Sequence, residues 1–127
     1  MSKLTSVAPV FAVADVEATI RWYESELGFT SYPSPPKPPY VFASVCRDQV
    51  EIMFQRIENY EKPDLYHLRG GGVWEAYIRM AGVKELYEAI REKVDIKMTL
   101  RKQPYGDWEF EVKDPNGYVL VFSELER

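Results

Sequence analysis

Residues that serve redox and metal chemistry are almost missing from this chain, which has one cysteine, Cys46, and one histidine, His67. A lone cysteine forms no internal disulfide, and this fits a reducing compartment, so a cytoplasmic protein is expected. Long apolar runs are missing too. Nothing approaches the roughly 18 residues of a membrane span, and Met1–Ser6 is polar, so neither an anchor nor a signal peptide is expected. An excess of positive charge is also lacking: Lys and Arg number 16 against 20 Asp and Glu, for a formal net charge of -4. Phosphate backbones and anionic lipid would gain no general attraction, which argues against nucleic acid or a membrane surface as partner. Gly70-Gly71-Gly72 lacks a following Lys-Ser/Thr and is no phosphate loop.

What is present is ordinary for a folded domain. A hydrophobic share of 46% with 28% charged residues excludes disordered and fibrous classes, and 127 residues suffice for one domain with a real core. Val7–Ala14 reads as a strand. Asp15 then serves as N-cap for a helix whose apolar residues Val16, Ile20, Tyr23 and Leu27 share a face, with Gly28 as left-handed C-cap. Strands are predicted at Phe29–Tyr32, Tyr40–Cys46 and Val50–Gln55, with a turn at Arg47-Asp48. The tract Ser34-Pro35-Pro36-Lys37-Pro38-Pro39 reads as a stiff connection between two of them.

The order then returns. Val73–Met80 reads as a strand, Val83, Leu86, Tyr87 and Ile90 mark a second helical face, and strands follow at Ile96–Lys102, Trp108–Lys113 and Tyr118–Ser123. Asp114-Pro115-Asn116-Gly117 suits a tight hairpin between the last two. The chain thus reads as a single α+β domain of two βαβββ units, about 1–56 and about 73–127, joined by a linker at about 57–72. Side by side, the units are expected to form a curved eight-stranded sheet with helices outside and a concave pocket within, the kind of surface that binds small molecules.

Pro9-Val10-Phe11 through Asp15-Val16, Trp22-Tyr23 through Leu27-Gly28-Phe29, and Trp108-Glu109-Phe110 through Asp114-Pro115-Asn116-Gly117 to Phe122 together resemble the glyoxalase/bleomycin-resistance/dioxygenase superfamily, over nearly the whole chain. In its metal-dependent members, the resemblance implies four ligands, one from the first and one from the fourth strand of each unit. Those positions fall here on Ala8, Glu51, Glu75 and Val121. Ala8 and Val121 cannot bind metal, and His67 lies outside the register. Two carboxylates alone suit at best a hard cation, so no metal or other cofactor is expected. The resemblance is therefore to the metal-free bleomycin-resistance type, which implies a homodimer with a shared cleft and a bulky, partly aromatic, cationic ligand.

Alternation along the strands puts Tyr77 and Arg79 on the face of Glu75, Met53 with Glu51, and Val119 and Ser123 with Val121. The candidate ligand-binding set is Glu51, Met53, Glu75, Tyr77, Arg79, Val121, Tyr40, Phe42 and Trp108, with no residue assigned to catalysis. Tyr40 and Phe42 enter as the bulkier alternative to Val41 and Ala43, and Trp108, with Tyr105, as either a stacking platform or packing. Trp22 and Trp74 read as packing residues. Glu51, Glu75 and Arg79 could equally form an internal charge network. The leading expectation is a small-molecule binding protein that sequesters or senses an aromatic, cationic ligand. The alternatives are a metal-dependent lyase, isomerase or dioxygenase with an atypical ligand set, and a metal-free enzyme using Glu51 or Glu75 as general base.

Overall fold

In the computed structural model, which describes residues 1–126, helix α1 (Val16–Leu27) starts where the sequence places its cap. The Asp15 carboxylate accepts the Ala18 N–H at 3.0 Å, and Gly28, at φ 71°, closes the helix by donating to the Glu24 carbonyl. Its buried face contains Val16, Ile20, Tyr23 and Leu27, as the periodicity predicts. Helix α3 (Val83–Ile90) buries Val83, Tyr87 and Ile90 but has no capping side chain of its own. A distant residue compensates: the Glu124 carboxylate accepts the N–H groups of Gly82 and Val83, each at 3.0 Å. Those donors would otherwise be orphaned at a partly buried helix start.

The strands are β1 (Val10–Val13), β2 (Thr30–Ser34), β3 (Phe42–Arg47), β4 (Val50–Arg56), β5 (Ala76–Arg79), β6 (Asp95–Lys102), β7 (Asp107–Lys113) and β8 (Val119–Leu125). They form two four-stranded sheets, ordered β1-β4-β3-β2 and β5-β8-β7-β6. In each unit the first and last strands pair in parallel and the others antiparallel, so the sequence repeat is also a structural one. The opening strands are shorter than the hydrophobic runs suggest. Pro9 has no N–H to give to a ladder, and it serves only as an acceptor, from Met53 N–H at 2.9 Å. The linker region contains a short helix, α2 (Leu65–Arg69), which periodicity could not reveal in so few residues; Asp64 caps one end and Gly70, at φ 82°, the other.

Each helix packs on its own sheet, α1 on β2, β3 and β4 and α3 on β7 and β8. One continuous apolar core then joins the units. Within it Tyr118 of the second unit stacks on Phe11 of the first, ring centroids 4.1 Å apart, and donates its hydroxyl to the Ala12 carbonyl at 2.6 Å. The Asp114-Pro115-Asn116-Gly117 turn reaches α1 through Tyr23 Oη to Asp114 Oδ2 at 2.6 Å and Asn116 Nδ2 to Thr19 Oγ1 at 2.8 Å. The opposite face of each sheet is turned away from α1 and α3. No helix among the described residues is long and apolar enough to cross a membrane.

Candidate functional site

Strand β7 alternates strictly. Phe110 and Val112 enter the core, while Asp107, Glu109 and Glu111 leave the opposite face, away from α3. Across the ladder, Ser123 and Val121 of β8 pair with Glu109 and Glu111, and Tyr77 and Arg79 of β5 pair with Val121 and Ser123. Directly opposed residues point the same way, so these side chains form one patch. None of the carboxylates is more than 4% exposed, and buried carboxylates need partners.

Most of the partners are present. The Tyr77 hydroxyl is hydrogen-bonded to Glu109 and lies 3.0 Å from Asp107 Oδ2 and 2.9 Å from Ser123 Oγ. Tyr105 donates to Glu109 Oε1 at 2.7 Å, Ser123 to Asp107 Oδ2 at 2.9 Å, and Trp74 Nε1 to Glu111 Oε2 at 2.9 Å. Arg79 Nη1 reaches Asp107 Oδ2 at 3.0 Å. Burial, with the acceptor carboxylate of Glu109, pushes Tyr77 up to about 12 and Tyr105 upward as well, so both stay protonated donors at neutral pH. The Ser123 hydrogen bond, helped by Tyr77 and Arg79, holds Asp107 below the usual carboxylate range. Among the described residues, Arg79 is the only cation paired within this row, and Glu109 and Glu111 have none.

Over the acids stand aromatic surfaces that remain partly open to solvent: Trp74 is 47% exposed, Tyr77 37% and Tyr105 58%. The Trp74 and Tyr77 rings lie 5.8 Å apart, centroid to centroid. Next to them, Arg79, Asp107 and Ser123 help line a cleft of about 820 Å³. The patch therefore combines acceptor-rich negative charge with flat apolar surface, a pairing suited to a cation that carries an aromatic group.

The structure separates the residues that the sequence reading grouped. Tyr77, Arg79 and Val121 lie together in this patch. Glu51 and Met53 lie on the helix-free face of the other sheet, where Met53 pairs with Ser44 and Val10 and the Ser44 hydroxyl donates to Glu51. Phe42 is on that face as well, opposite Gln55. Tyr40 precedes β3 and packs against the apolar core, because the strand begins only at Phe42. Trp108 is one position out of step with Asp107 and Glu109, so it sits on the helix side with Lys84 Nζ 4.5 Å from its ring centroid, although it also lines the cleft.

Glu75 departs most from expectation. It lies before β5 and pairs with Lys62 at 2.7 Å, their side chains 16% and 8% exposed, and it accepts the Val119 N–H at 2.7 Å. The expected network of Glu51, Glu75 and Arg79 is thus replaced by separate contacts, with Ser44, Lys62 and Asp107 respectively. This also decides the fit of a family metal. Ala8 and Val121 offer no donor, and Glu75 is committed to an ammonium and a backbone amide, so the residues present do not suit the family's ion. Among the described residues no cluster of His, Cys, Asp and Glu has metal-binding geometry. The acid row itself escaped the sequence reading, yet its signal was there: Asp107, Glu109 and Glu111 alternate with Trp108, Phe110 and Val112.

Comparison with known proteins agrees with this architecture. The profile of the Glyoxalase/Bleomycin resistance protein/Dioxygenase superfamily matches residues 4–122. Among solved structures, the bleomycin-binding protein of bleomycin-producing Streptomyces verticillus, complexed with copper(II)-bleomycin, superposes with a TM-score of 0.71 at 24% identity, covering 99% of this chain and 100% of its own. TioX from Micromonospora sp. ML1 gives 0.73 at 19% identity, covering 97% and 98%. A glyoxalase-related enzyme from Clostridium phytofermentans gives 0.76 at 16%, covering 98% of each chain. At such identities the likeness is one of fold. A search of proteins with curated functions found no match.

Proposed function

Because the chain belongs to the glyoxalase/bleomycin resistance protein/dioxygenase superfamily, we propose that it is a non-catalytic binding protein that sequesters or senses a flat, aromatic, positively charged small molecule. The observation that carries this reading is the buried row Asp107, Glu109 and Glu111 beneath Trp74, Tyr77 and Tyr105, with Arg79 as its one paired cation among the described residues. In such a low-dielectric setting an incoming cation gains from the carboxylates and from the ring faces, each ring contact contributing on the order of 1 kcal/mol. An anion meets the opposite field. The bleomycin-binding protein with a similar fold holds a metal–drug complex, which supports a ligand-holding role of this general kind.

A thermal-shift screen of cationic aromatic compounds against phosphates and keto acids, followed by titration calorimetry, tests the charge assignment. Stabilisation by the cations alone is expected. If only anions bind, and Arg79→Ala abolishes that binding, the guanidinium rather than the acid row defines the site.

We further propose a homodimer. Each sheet ends in strands with an unpaired edge, β1 and β2 in the first, β5 and β6 in the second, and a symmetric partner is a common way to cover such edges. Light scattering over a dilution series should give twice the 14.8 kDa of one chain. A single-chain mass at every micromolar concentration would count against it.

A further inference from the structure

A cavity of about 400 Å³ lies apart from the acid row, where the two units meet. Leu27 and Phe29, at the end of α1, and Val50, at the start of β4, reach it from the first unit. Ile78 of β5, Leu86 of α3 and Phe122 of β8 reach it from the second. Ile78 and Phe122 alternate along their strands with Tyr77 and Val121, so they face away from the acid row and into the core. The core that joins the units does not fill this corner: Val50 and Leu86 pack against it yet stay only half-buried.

Polar groups are few and stand at the rim, where Arg47, Asp48 and Gln49 of the β3–β4 turn are exposed. Arg47 Nη1 donates to the Leu27 carbonyl at 2.8 Å, which holds the guanidinium over the C-terminal end of α1. A guanidinium has five N–H donors, so this bond leaves others for an incoming acceptor. Asp48 is the one acid lining the cavity among the described residues. Its Oδ2 stays 3.8 Å from Arg47 Nε, too far for a hydrogen bond, and its side chain is 88% exposed. Arg79 also lines the cavity, but its guanidinium is engaged by Asp107 and the Tyr77 ring. We propose that this cavity is a second ligand site, for a small apolar monocarboxylate whose body enters between the units while its carboxylate pairs with Arg47 at the rim. Pockets of this size gain affinity from buried apolar surface and orientation from a few placed polar groups, and the planar fork of a guanidinium matches a carboxylate. Inorganic phosphate and short keto acids carry the charge without the apolar body and are not ligands of this site. Its polarity is the reverse of the acid row, so the two sites take different molecules.

Titration calorimetry with 2-naphthoate, 2-naphthylmethanol and acetate separates the apolar body from the charged head. Wild-type protein should bind 2-naphthoate, the alcohol about tenfold or more weakly, the scale of one charge-assisted hydrogen bond, and acetate not at all. Arg47→Gln should bring the acid and the alcohol to equal affinity, whereas Arg21→Gln, the same charge change on the exposed face of α1, should keep the difference. Amide NMR shifts on adding 2-naphthoate to the wild type should centre on Gln49, Val50 and Leu86, a reading that stands even if the Arg47 variant fails to fold. Shifts centred elsewhere, on Trp74, Tyr77 and Tyr105 for example, overturn the site, as does equal binding of the alcohol by the wild type. Failure of 2-naphthoate to bind overturns it too, and leaves the cation reading of the acid row untouched.

Discussion

Replacing Phe54 with alanine is expected to lower the unfolding free energy by about 3–5 kcal/mol, the usual cost of deleting a buried phenyl ring. Phe54 lies on β4 with no exposed surface, its ring centroid 5.0 Å from that of Tyr23 on α1 and 6.0 Å from that of Phe11 on β1. These neighbours cannot easily collapse into the void. Tyr23 is held by its hydroxyl on Asp114, and Phe11 is stacked on Tyr118, so the same rings that surround Phe54 also join the two units. Because a domain of this size has only about 5–15 kcal/mol of net stability, the variant should sit near its unfolding threshold. Urea titration would show a lower midpoint with an unchanged slope. A loss below about 1 kcal/mol would mean that the core relaxes around the site, contrary to its packing.

The same core explains why the fold was readable. Val16, Ile20, Tyr23 and Leu27 repeat at helical spacing between a good N-cap and a glycine, and the matching pattern at Val83, Tyr87 and Ile90 shows that the unit is duplicated. Local rules of this kind fix element type with little help from the rest of the chain. Element ends were less legible, because they depend on partners: β1 starts only after Pro9, and α3 borrows its cap from Glu124, some forty positions away in β8.

The site was legible only in part for the same reason. Strand alternation correctly predicts that Tyr77 and Arg79 share a face, but it cannot say which carboxylate Arg79 meets, and this proves to be Asp107. Glu75 keeps step with Tyr77 in sequence, yet β5 begins only at Ala76 and Lys62 arrives from the linker to claim it. That ion pair depends on a loop path, which carries no periodic signal. The acid row, by contrast, needed only the alternation rule applied to β7.

Asp114→Asn should flatten part of the pH dependence of stability. The Asp114 carboxyl is 3% exposed, and burial raises its pKa to about 6, against the 3.8 of an exposed aspartate, although Tyr23 Oη and the N–H groups of Asn116 and Tyr118 all donate to it. The nearby Glu75 charge pushes in the same direction as burial. A folded-state value above the unfolded one means that the native protein holds the proton more tightly. The resulting stabilisation is complete below about pH 4 and is lost as pH rises through about 6. The gap between the two values corresponds to about 3 kcal/mol. Asparagine can keep the acceptor role toward the backbone amides while carrying no charge, so the variant should gain on the wild type by about that amount between pH 4 and pH 7. Urea unfolding of both proteins at the two pH values isolates the effect, since carboxylates common to both cancel in the difference. Parallel stability curves would show that Asp114 titrates in the fold as it does in water, and that its hydrogen bonds fully offset the cost of burying its charge.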